Sequence, residues 1–226
     1  MRYHALALTF LLVISLFLTT PAAAQTASES PQKPVYHQTG NEATLVGTIG
    51  VVGTVPRTLL FDMTADPICV QLNREAKTDS LITNENRLLN AFVYVKNGDS
   101  LKTYEFELPA SAVELRRERC IYSPHVLGLR VGQSLAIINE DPTHHNTHPT
   151  PRLNIEWNQT QPPSAQPIIK TFARPEVLIP FKCNHHPWEK AYVGVLDHPW
   201  RDAGGGSTIP LPRDRHREGY APLTAF

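Results

Sequence analysis

The chain has 226 residues, and its 21 lysines and arginines balance its 21 aspartates and glutamates. Because this balance leaves no overall basic field, we do not expect a nucleic-acid partner. Proline removes a backbone donor and clashes inside helices. The 20 prolines, well above the average usage of about 5%, therefore argue against long helices.

The first segment in chain order is an apolar run behind a positive N terminus. Arg2 precedes a nearly uninterrupted apolar stretch at 5–18, and three alanines stand before Gln25. This pattern is typical of a secretory signal peptide at residues 1–24. We therefore expect a periplasmic or extracellular protein that does not insert into a membrane after cleavage near Ala24. An uncleaved anchor is the alternative, although the run is short for a spanning helix.

Short β-branched and aromatic segments make up the middle of the chain. Polar residues 25–43 are predicted to form a flexible linker, and the sequence changes character at Thr44. From there, apolar segments alternate with Gly, Asn, Asp and Pro, as in antiparallel sandwiches or barrels with many turns. The predicted strand segments are TLVGTIGVV, TLLFDM, LLNAFVYVKNG, KTYEFEL, AVELRRERCIY, VLGLRVG, SLAIINED, IIKTFARPEVLIPFKC and AYVGVLDH.

Other segments are predicted to be loops. Residues 149–167 are rich in Pro, Asn, Gln and Ser and are expected to form a long loop. No long amphipathic helix is evident, although TDSLITNENRLLN could hold a turn or two of helix. The predicted all-β domain covers residues 44–200. Residues 201–226 mix Gly, Pro and charge and are predicted to form an irregular tail.

The three cysteines are Cys69, Cys120 and Cys183. An oxidising compartment favours disulfides, and an odd number leaves one free thiol. Cys69 and Cys120 both lie in the front half beside predicted strands, so we predict a disulfide between them. Two separate buried thiols are the alternative.

Two histidine-bearing loops follow predicted strands. The loop NEDPTHHNTHPT carries His144, His145 and His148, and the loop CNHHPWE follows EVLIPFK. Thiolate and imidazole donors suit zinc or copper, whereas calcium and magnesium prefer oxygen. Cys183 and His186 are three residues apart around a tight turn and can face one ion. A third ligand can come from the first loop.

These two loops carry a resemblance to a known family. VGQSLAIINEDPTHHNTHP and FKCNHHPWEKAYVGVLDHP resemble the two copper-binding segments of cupredoxins, the plastocyanin-like blue copper family. The second is most similar to a secreted branch that reads Cys-x-x-His-Pro-Trp-Met, as are FVYVKNG and CIYSPHVLGLRVGQ. The resemblance implies a Greek-key β-sandwich or barrel of cupredoxin type. It also implies one type 1-like copper ion with His145, Cys183 and His186 as equatorial ligands.

Glu189 stands where that branch has its axial methionine. A carboxylate is hard and charged, so as an axial ligand it would favour Cu(II), lower the reduction potential and change the geometry. The alternative is that Glu189 points outward as an ordinary surface carboxylate.

The resemblance implies an exported one-electron carrier that is not an enzyme and whose redox partner is an unidentified protein. One alternative is a non-redox copper or zinc carrier, which Glu189 and the surplus histidines favour. The other is a metal-free β-sandwich that binds carbohydrate or protein through Trp157, Trp188 and Trp200. The sequence leaves the oligomeric state open.

Overall fold

The structure is a computed structural model, and it describes most of the predicted domain. The described residues are 32–37, 43–55, 57–78, 83–84, 87–96, 98–199, 201–203, 206–211 and 223–225. The predicted signal peptide and most of the predicted linker lie outside them. By its internal contacts the chain divides into two units, Met1–Gln32 and Lys33–Phe226, and every described strand belongs to the second unit. No helix within the described ranges has the length and apolar character to cross a membrane.

The described secondary structure is almost entirely β. The first strands are β1 (Ala43–Thr48), β2 (Thr83–Asn84), β3 (Arg87–Leu88), β4 (Phe92–Val95), β5 (Val113–Glu118), β6 (Ile121–Ser123), β7 (Val126–Arg130) and β8 (Leu135–Asn139). The later strands are β9 (His145–Pro149), β10 (Gln159–Gln161), β11 (Ile168–Lys170), β12 (Glu176–Lys182), β13 (Lys190–Leu196), β14 (Arg201–Ala203), β15 (Gly206–Leu211) and β16 (Leu223–Ala225). Helix α1 spans Pro67–Leu72, and a 3₁₀ turn spans Asp99–Thr103.

Two mixed sheets form a sandwich, which confirms the predicted all-β sandwich class. One sheet has the order β10-β9-β12-β13-β7 and the other has the order β11-β8-β5-β6. The segments were typical of an antiparallel sandwich or barrel, but β13 pairs with β7 in parallel and β5 pairs with β8 in parallel, so both sheets are mixed. The chain passes from β6 into the other sheet as β7 and returns as β8. This crossing brings strands of the same direction side by side.

The main core lies between these two sheets. Successive side chains of a strand point to opposite faces, and each strand supplies its inward residues to one cluster. The buried members of this cluster are Leu115, Tyr122, Leu127, Leu129, Leu135, Ile137, Ile168, Phe172, Ile179, Phe181, Ala191, Val193 and Val195.

Three smaller sheets accompany the sandwich. They are the pairs β1-β15 and β2-β3 and the sheet β14-β4-β16. Strands β14, β15 and β16 come from residues 201–226, so the structure adds three short strands to the region predicted as an irregular tail. The other residues of that region lie outside the described ranges. The hairpin β2-β3 lies within TDSLITNENRLLN, where a turn or two of helix had been considered.

Four segments differ from the sequence prediction. TLLFDM was predicted as a strand but makes an isolated antiparallel bridge between Leu60 and Lys77. KTYEFEL was predicted as a strand, but its pairing among the described residues is an isolated parallel bridge between Glu105 and Val35. Strand β10 falls within the predicted loop at 149–167. Helix α1 was not predicted, although Asp66 accepts from the backbone N–H groups of Ile68 and Cys69, as an N-cap does. With six residues, α1 is too short to show helical periodicity.

Candidate metal centre

The four predicted ligands come together at one end of the five-stranded sheet. His145, Cys183, His186 and Glu189 each place a ligand atom within 4.8 Å of the others. His145 begins β9, and the other three lie in the turn between β12 and β13. Because β12 pairs with both β9 and β13, their ends are neighbours. All four side chains are buried, with at most 3% exposed.

The ligand atoms converge on a small volume. The Nδ1 atoms of His145 and His186 are 2.9 Å apart, and Cys183 Sγ lies 3.7 Å from His186 Nδ1. Glu189 Oε1 lies 2.7 Å from His145 Nδ1 and 3.0 Å from His186 Nδ1. Glu189 therefore points into the cluster, and the alternative of an outward surface carboxylate was wrong.

These distances fit a single metal ion. Bonds of about 2.0–2.2 Å to nitrogen or oxygen and about 2.3 Å to sulfur place two ligands of one ion at most about 4.5 Å apart. The four measured separations all lie below that limit. The contacts of Glu189 are not directed as hydrogen bonds, since both of its carboxylate oxygens lack a partner with hydrogen-bond geometry. Buried donor atoms of these types that converge on one small volume are what a cation site requires.

Two further carboxylates face the outer nitrogens of the histidines. Asp141 Oδ2 lies 3.2 Å from His145 Nε2, and Asp66 Oδ2 lies 3.1 Å from His186 Nε2. Such outer carboxylates favour a proton on the outer nitrogen and fix the orientation of the ring. The Nδ1 lone pairs are thereby left facing inward. Thr143 Oγ1 donates to the same oxygen of Asp66 at 2.8 Å.

Sequence reasoning did not identify Asp66 or Asp141. The spacing of Asp141 four residues before His145 was visible in NEDPTHH and could have suggested a partner. Asp66 offered no local signal, because 120 positions separate it from His186.

The surroundings of Cys183 favour its thiolate form. Burial raises the pKa of the thiol, but contacts with His145 and His186 outweigh burial and lower the pKa to about 6. The backbone N–H of Asn146 also donates to Sγ at 3.5 Å. Asn184 N donates in turn to Asn146 Oδ1 at 2.7 Å, which fixes the loop around the sulfur. A thiolate is the form of cysteine that binds metals.

The metal-free cluster holds protons on its histidines. Burial lowers the pKa of His145, but Asp141, Cys183 and Glu189 outweigh burial and raise it to about 10. Burial likewise lowers the pKa of His186, and contacts with Cys183 and Glu189 raise it to about 9. For Glu189, burial raises the pKa, and the two histidines together with Arg117 lower it further than burial raises it.

Arg117 is a further charged residue, fully buried, that sequence reasoning missed. It lies in β5 with none of its side chain exposed, and its Nε is 3.1 Å from Glu189 Oε2. Its Nη2 donates to Asn146 O at 2.8 Å and to Thr147 Oγ1 at 2.6 Å. In the segment VELRRE, charged residues are typical of a solvent-facing strand, so nothing in the sequence indicated burial.

Cys69 and Cys120 are joined by a disulfide that lies beside the cluster. Cys69 Sγ lies 4.0 Å from His186 Nε2. Trp188 Nε1 donates to Cys120 O at 2.9 Å, and the Trp188 ring packs against His186 with centroids 5.0 Å apart. Because Cys69 lies in α1, the disulfide holds this helix over the outer edge of His186. Cys183 is the free cysteine.

The other three histidines of the two loops lie outside the cluster. His144 and His185 are exposed. His148 contacts Asn184 Oδ1 at 3.1 Å and Glu156 Oε1 at 2.6 Å. These side chains surround the loops but do not point at the four converging atoms.

The proposed tryptophan platform is not supported by the described side chains. Trp188 is buried, and Trp157 packs against the main core with its ring centroid 6.3 Å from that of Phe181. Trp200 lies outside the described residues. Both described tryptophans therefore serve packing.

Comparisons with known proteins give partial structural similarity to copper proteins. No protein-family model matches the chain, and no curated protein matches it. The copper-containing nitrite reductase from Thermus scotoductus SA-01 is 18% identical with a TM-score of 0.37, over 41% of this chain and 24% of that chain. Amicyanin from Paracoccus versutus is 19% identical with a TM-score of 0.34, over 39% of this chain and 85% of that chain. A purple cupredoxin from Nitrosopumilus maritimus is 21% identical with a TM-score of 0.32, over 38% of this chain and 99% of that chain.

The matched part spans about a quarter of the nitrite reductase chain. Similarities of this size do not establish a family.

Proposed function

We propose that this protein binds one copper ion through His145, Cys183, His186 and Glu189 and carries single electrons. The observation that carries this proposal is the convergence of a thiolate, two imidazole Nδ1 atoms and a carboxylate oxygen in one buried volume. Copper suits this mixed donor set and supplies one-electron chemistry when bound. We further propose that the protein is exported, is not an enzyme and exchanges electrons with a partner protein.

The residues of the chain would hold the ion in nearly one geometry. His145 is fixed by β9, and the other three ligands are fixed in the tight turn between two paired strands. Rigid elements of this kind hold a site more precisely than free loops do. Burial of all four side chains excludes water from the ligand atoms. Both features favour fast electron exchange, because little has to move when the charge of the ion changes.

Glu189 would distinguish this site from one with a methionine in the same place. A carboxylate is a hard, anionic donor, so it stabilises the divalent state more than a thioether does. We therefore expect a low reduction potential and an absorption spectrum shifted away from that of a trigonal blue site.

Export is supported by two observations. The N-terminal segment has the pattern of a signal peptide, and Cys69 and Cys120 form a disulfide, which oxidising compartments favour.

A second candidate function is the retention of a divalent ion without redox work. The observation that favours it is the burial of Glu189 in the cluster, since two anionic ligands and two imidazoles also suit tetrahedral zinc. Voltammetry separates the candidates: a reversible one-electron wave supports the carrier, and a zinc-loaded protein without a wave supports retention.

The test of copper binding is a titration of metal-free protein with Cu(II). We expect an equimolar end point and an intense thiolate-to-copper absorption, at or to the green side of about 600 nm. The Cys183→Ser variant should lack this band. A wild-type protein without any charge-transfer band would contradict the proposal, as would less than stoichiometric metal in protein isolated from its native compartment.

The role of Glu189 has its own test. Glu189→Met should make the site bluer and raise its potential, since a soft thioether replaces a hard anion. Glu156→Met is the matched control, because Glu156 pairs with His148, which lies outside the four candidate ligands. An unchanged spectrum and potential in Glu189→Met would show that this carboxylate does not touch the metal.

A further inference from the structure

Arg117 places a permanent positive charge directly behind the candidate ligand Glu189. Neither side chain has any measurable exposure, and Nε lies 3.1 Å from Oε2. Burying an arginine is expensive unless its charge is paired and its donors are used. A residue that served only to join strands could be apolar at lower cost. The buried charge therefore requires an explanation at this site.

The two oxygens of Glu189 face different groups. Oε1 lies within 3.0 Å of the Nδ1 atoms of both histidines, where the ligand atoms converge. Oε2 lies beside the guanidinium of Arg117. A carboxylate can bind a metal through one oxygen or through both. Here the guanidinium of Arg117 takes up the space beside the second oxygen and compensates its negative charge.

We propose that Arg117 is a positioning residue that makes Glu189 a one-oxygen ligand and weakens its preference for the divalent ion. This inference rests on the proposed copper function. With neutral histidines, the ligands Cys183 and Glu189 carry two negative charges, and Arg117 changes the net charge of the three groups from minus two to minus one. Charges this close interact strongly in a buried site. Two anionic ligands alone would disfavour Cu(I) relative to Cu(II), and the positive charge of Arg117 makes this bias smaller.

The arrangement of the other Arg117 contacts supports a role in positioning. Nη2 reaches Asn146 O and Thr147 Oγ1, the two residues that follow His145 in β9. The guanidinium carbon also lies 4.5 Å above the Tyr122 ring. These contacts fix the guanidinium in one place, so Glu189 meets a preset charge instead of a mobile one.

Asp66 and Asp141 do not replace this effect. They face the outer nitrogens of the histidines, on the side away from the converging atoms. Their charges stay constant when Arg117 is changed. A change in the site that disappears when Glu189 is also replaced can therefore be assigned to the pair of Arg117 and Glu189.

The experiment is a double-mutant cycle of Arg117→Gln and Glu189→Gln in copper-loaded full-length protein. The quantities measured are the ratio of Cu(II) to Cu(I) affinity, the reduction potential and the absorption spectrum. Arg117→Gln should raise the affinity ratio at least tenfold, which lowers the potential by about 59 mV for one electron. In the Glu189→Gln background, the same change should alter the ratio less than about threefold, because the ligand through which Arg117 acts is gone.

Rescue and control variants separate positioning from folding. Arg117→Lys retains the charge but not the planar fork, so it should give a smaller change than Arg117→Gln. Arg130→Gln removes another buried arginine, whose partners are backbone carbonyls. It should lower the stability of the protein and leave the affinity ratio within about twofold of the wild type.

Two results would overturn the inference. One is an Arg117→Gln protein that folds and has the affinity ratio and spectrum of the wild type. The other is an equal effect of Arg117→Gln with and without Glu189. If Arg117→Gln does not fold, an Arg117→Lys protein whose affinity ratio changes as much in the Glu189→Gln background as in the wild-type background overturns the inference instead. Failure of the proposed function differs visibly, since the wild type would then show no charge-transfer band.

Discussion

Two buried arginines lie near opposite ends of β13, and their partners differ. Arg117 faces the carboxylate of Glu189, the residue just before this strand. Arg130 is in register with Leu196, the last residue of the strand. Its guanidinium donates to backbone carbonyls, among them the carbonyl of Asp197 at 3.1 Å. With seven residues at about 3.3 Å each, the strand separates the two regions by about 20 Å.

The difference between these two regions shows how one residue type can serve two purposes. At the far end, the charge of Arg130 satisfies carbonyl oxygens that would otherwise lose hydrogen bonds on burial. At the site end, the charge of Arg117 meets another charge that belongs to a group of converging ligands. We therefore expect changes at the far end to affect stability, and changes at the site end to affect both stability and metal binding.

The largest expected effect comes from removing the disulfide at the site end. Its cysteines are 51 positions apart, and closing a loop of that length stabilises a protein by about 4 kcal/mol in the chain-entropy model. The variant Cys69→Ala/Cys120→Ala should lose about that free energy of unfolding, measured by denaturant titration. Because Cys69 packs against His186, copper affinity of the folded protein should fall as well. Unchanged stability and affinity would show that the covering helix is held in place by its other contacts.

A pH titration of the metal-free protein sharpens the comparison. The pKa values of His145 and His186, about 10 and 9, are above the unfolded value of 6.5. Their stabilisation is complete below pH 6.5 and is lost as the pH rises through 9 and 10. The pKa of Cys183, about 6, is below its unfolded value of 9.0. Its stabilisation is complete above pH 9 and is lost as the pH falls through 6.

Between pH 7 and 9 the folded cluster therefore holds two protons where the unfolded chain holds one. Stability should fall by about 1.4 kcal/mol per pH unit in this range. The carboxylates that face the two histidines are Asp66, Asp141 and Glu189, and their lowered pKa values keep them ionised in this range. Arg117 lies beside Glu189. At the far end, burial lowers the pKa of His198, so it is neutral in both states and adds no slope.

The measurement is denaturant unfolding of metal-free protein at pH 7, 8 and 9. A His145→Asn variant should flatten the decline, and a His198→Asn variant should keep it. Loading with metal should abolish the decline, because the ion displaces the protons. A stability that is constant or rises from pH 7 to 9 in the metal-free wild type would contradict this account.

A core substitution toward the far end should affect stability without changing the metal site. A Cβ on Gly194 would overlap the ring of Phe92, and Gly194 pairs in register with Gly128. Gly194→Ala should cost about 1–3 kcal/mol, as overpacked cores do. Its copper spectrum and affinity should match the wild type. Gly47→Ala is the matched control, since a Cβ there would meet nothing within 4 Å.

The sequence located the candidate ligands because their signals are local. Cys183 and His186 share a short turn, and both histidine loops directly follow apolar segments that are strands in the structure. The sandwich class followed from the same segments. Glu189 was named from its position, but its direction was left open because a single turn residue can face either way.

The parts that the sequence did not reveal depend on distant contacts. The parallel pairs β5-β8 and β7-β13 follow from the crossing of the chain between sheets, which strand patterns do not specify. Asp66 approaches His186 only after α1 packs over the site. Arg117 has the local pattern of a surface residue, and only the assembled sandwich shows that Glu189, Asn146 and Thr147 surround it.

The smallest predicted effect concerns the carboxylate behind His145. Asp141 Oδ2 lies 3.2 Å from His145 Nε2 and also accepts from Cys120 N at 2.9 Å. Asp141→Asn keeps the shape of the side chain but removes its negative charge. That charge fixes the ring of His145 and increases the basicity of the ring. Losing such a partner typically costs 10–100-fold in metal affinity. We expect a loss at the lower end, about tenfold, because β9 still holds the backbone of His145 in place.

Isothermal titration with Cu(II) under a competing chelator measures this change. The matched variant at the other end is Asp197→Asn, which removes an exposed carboxylate beside Arg130 and should leave affinity unchanged. If Asp141→Asn binds copper as tightly as the wild type, the ring of His145 is oriented by packing alone. An equal loss of affinity in both variants would mean that net charge acts over the whole molecule, and the two ends of β13 would then not differ in their effect on the metal site.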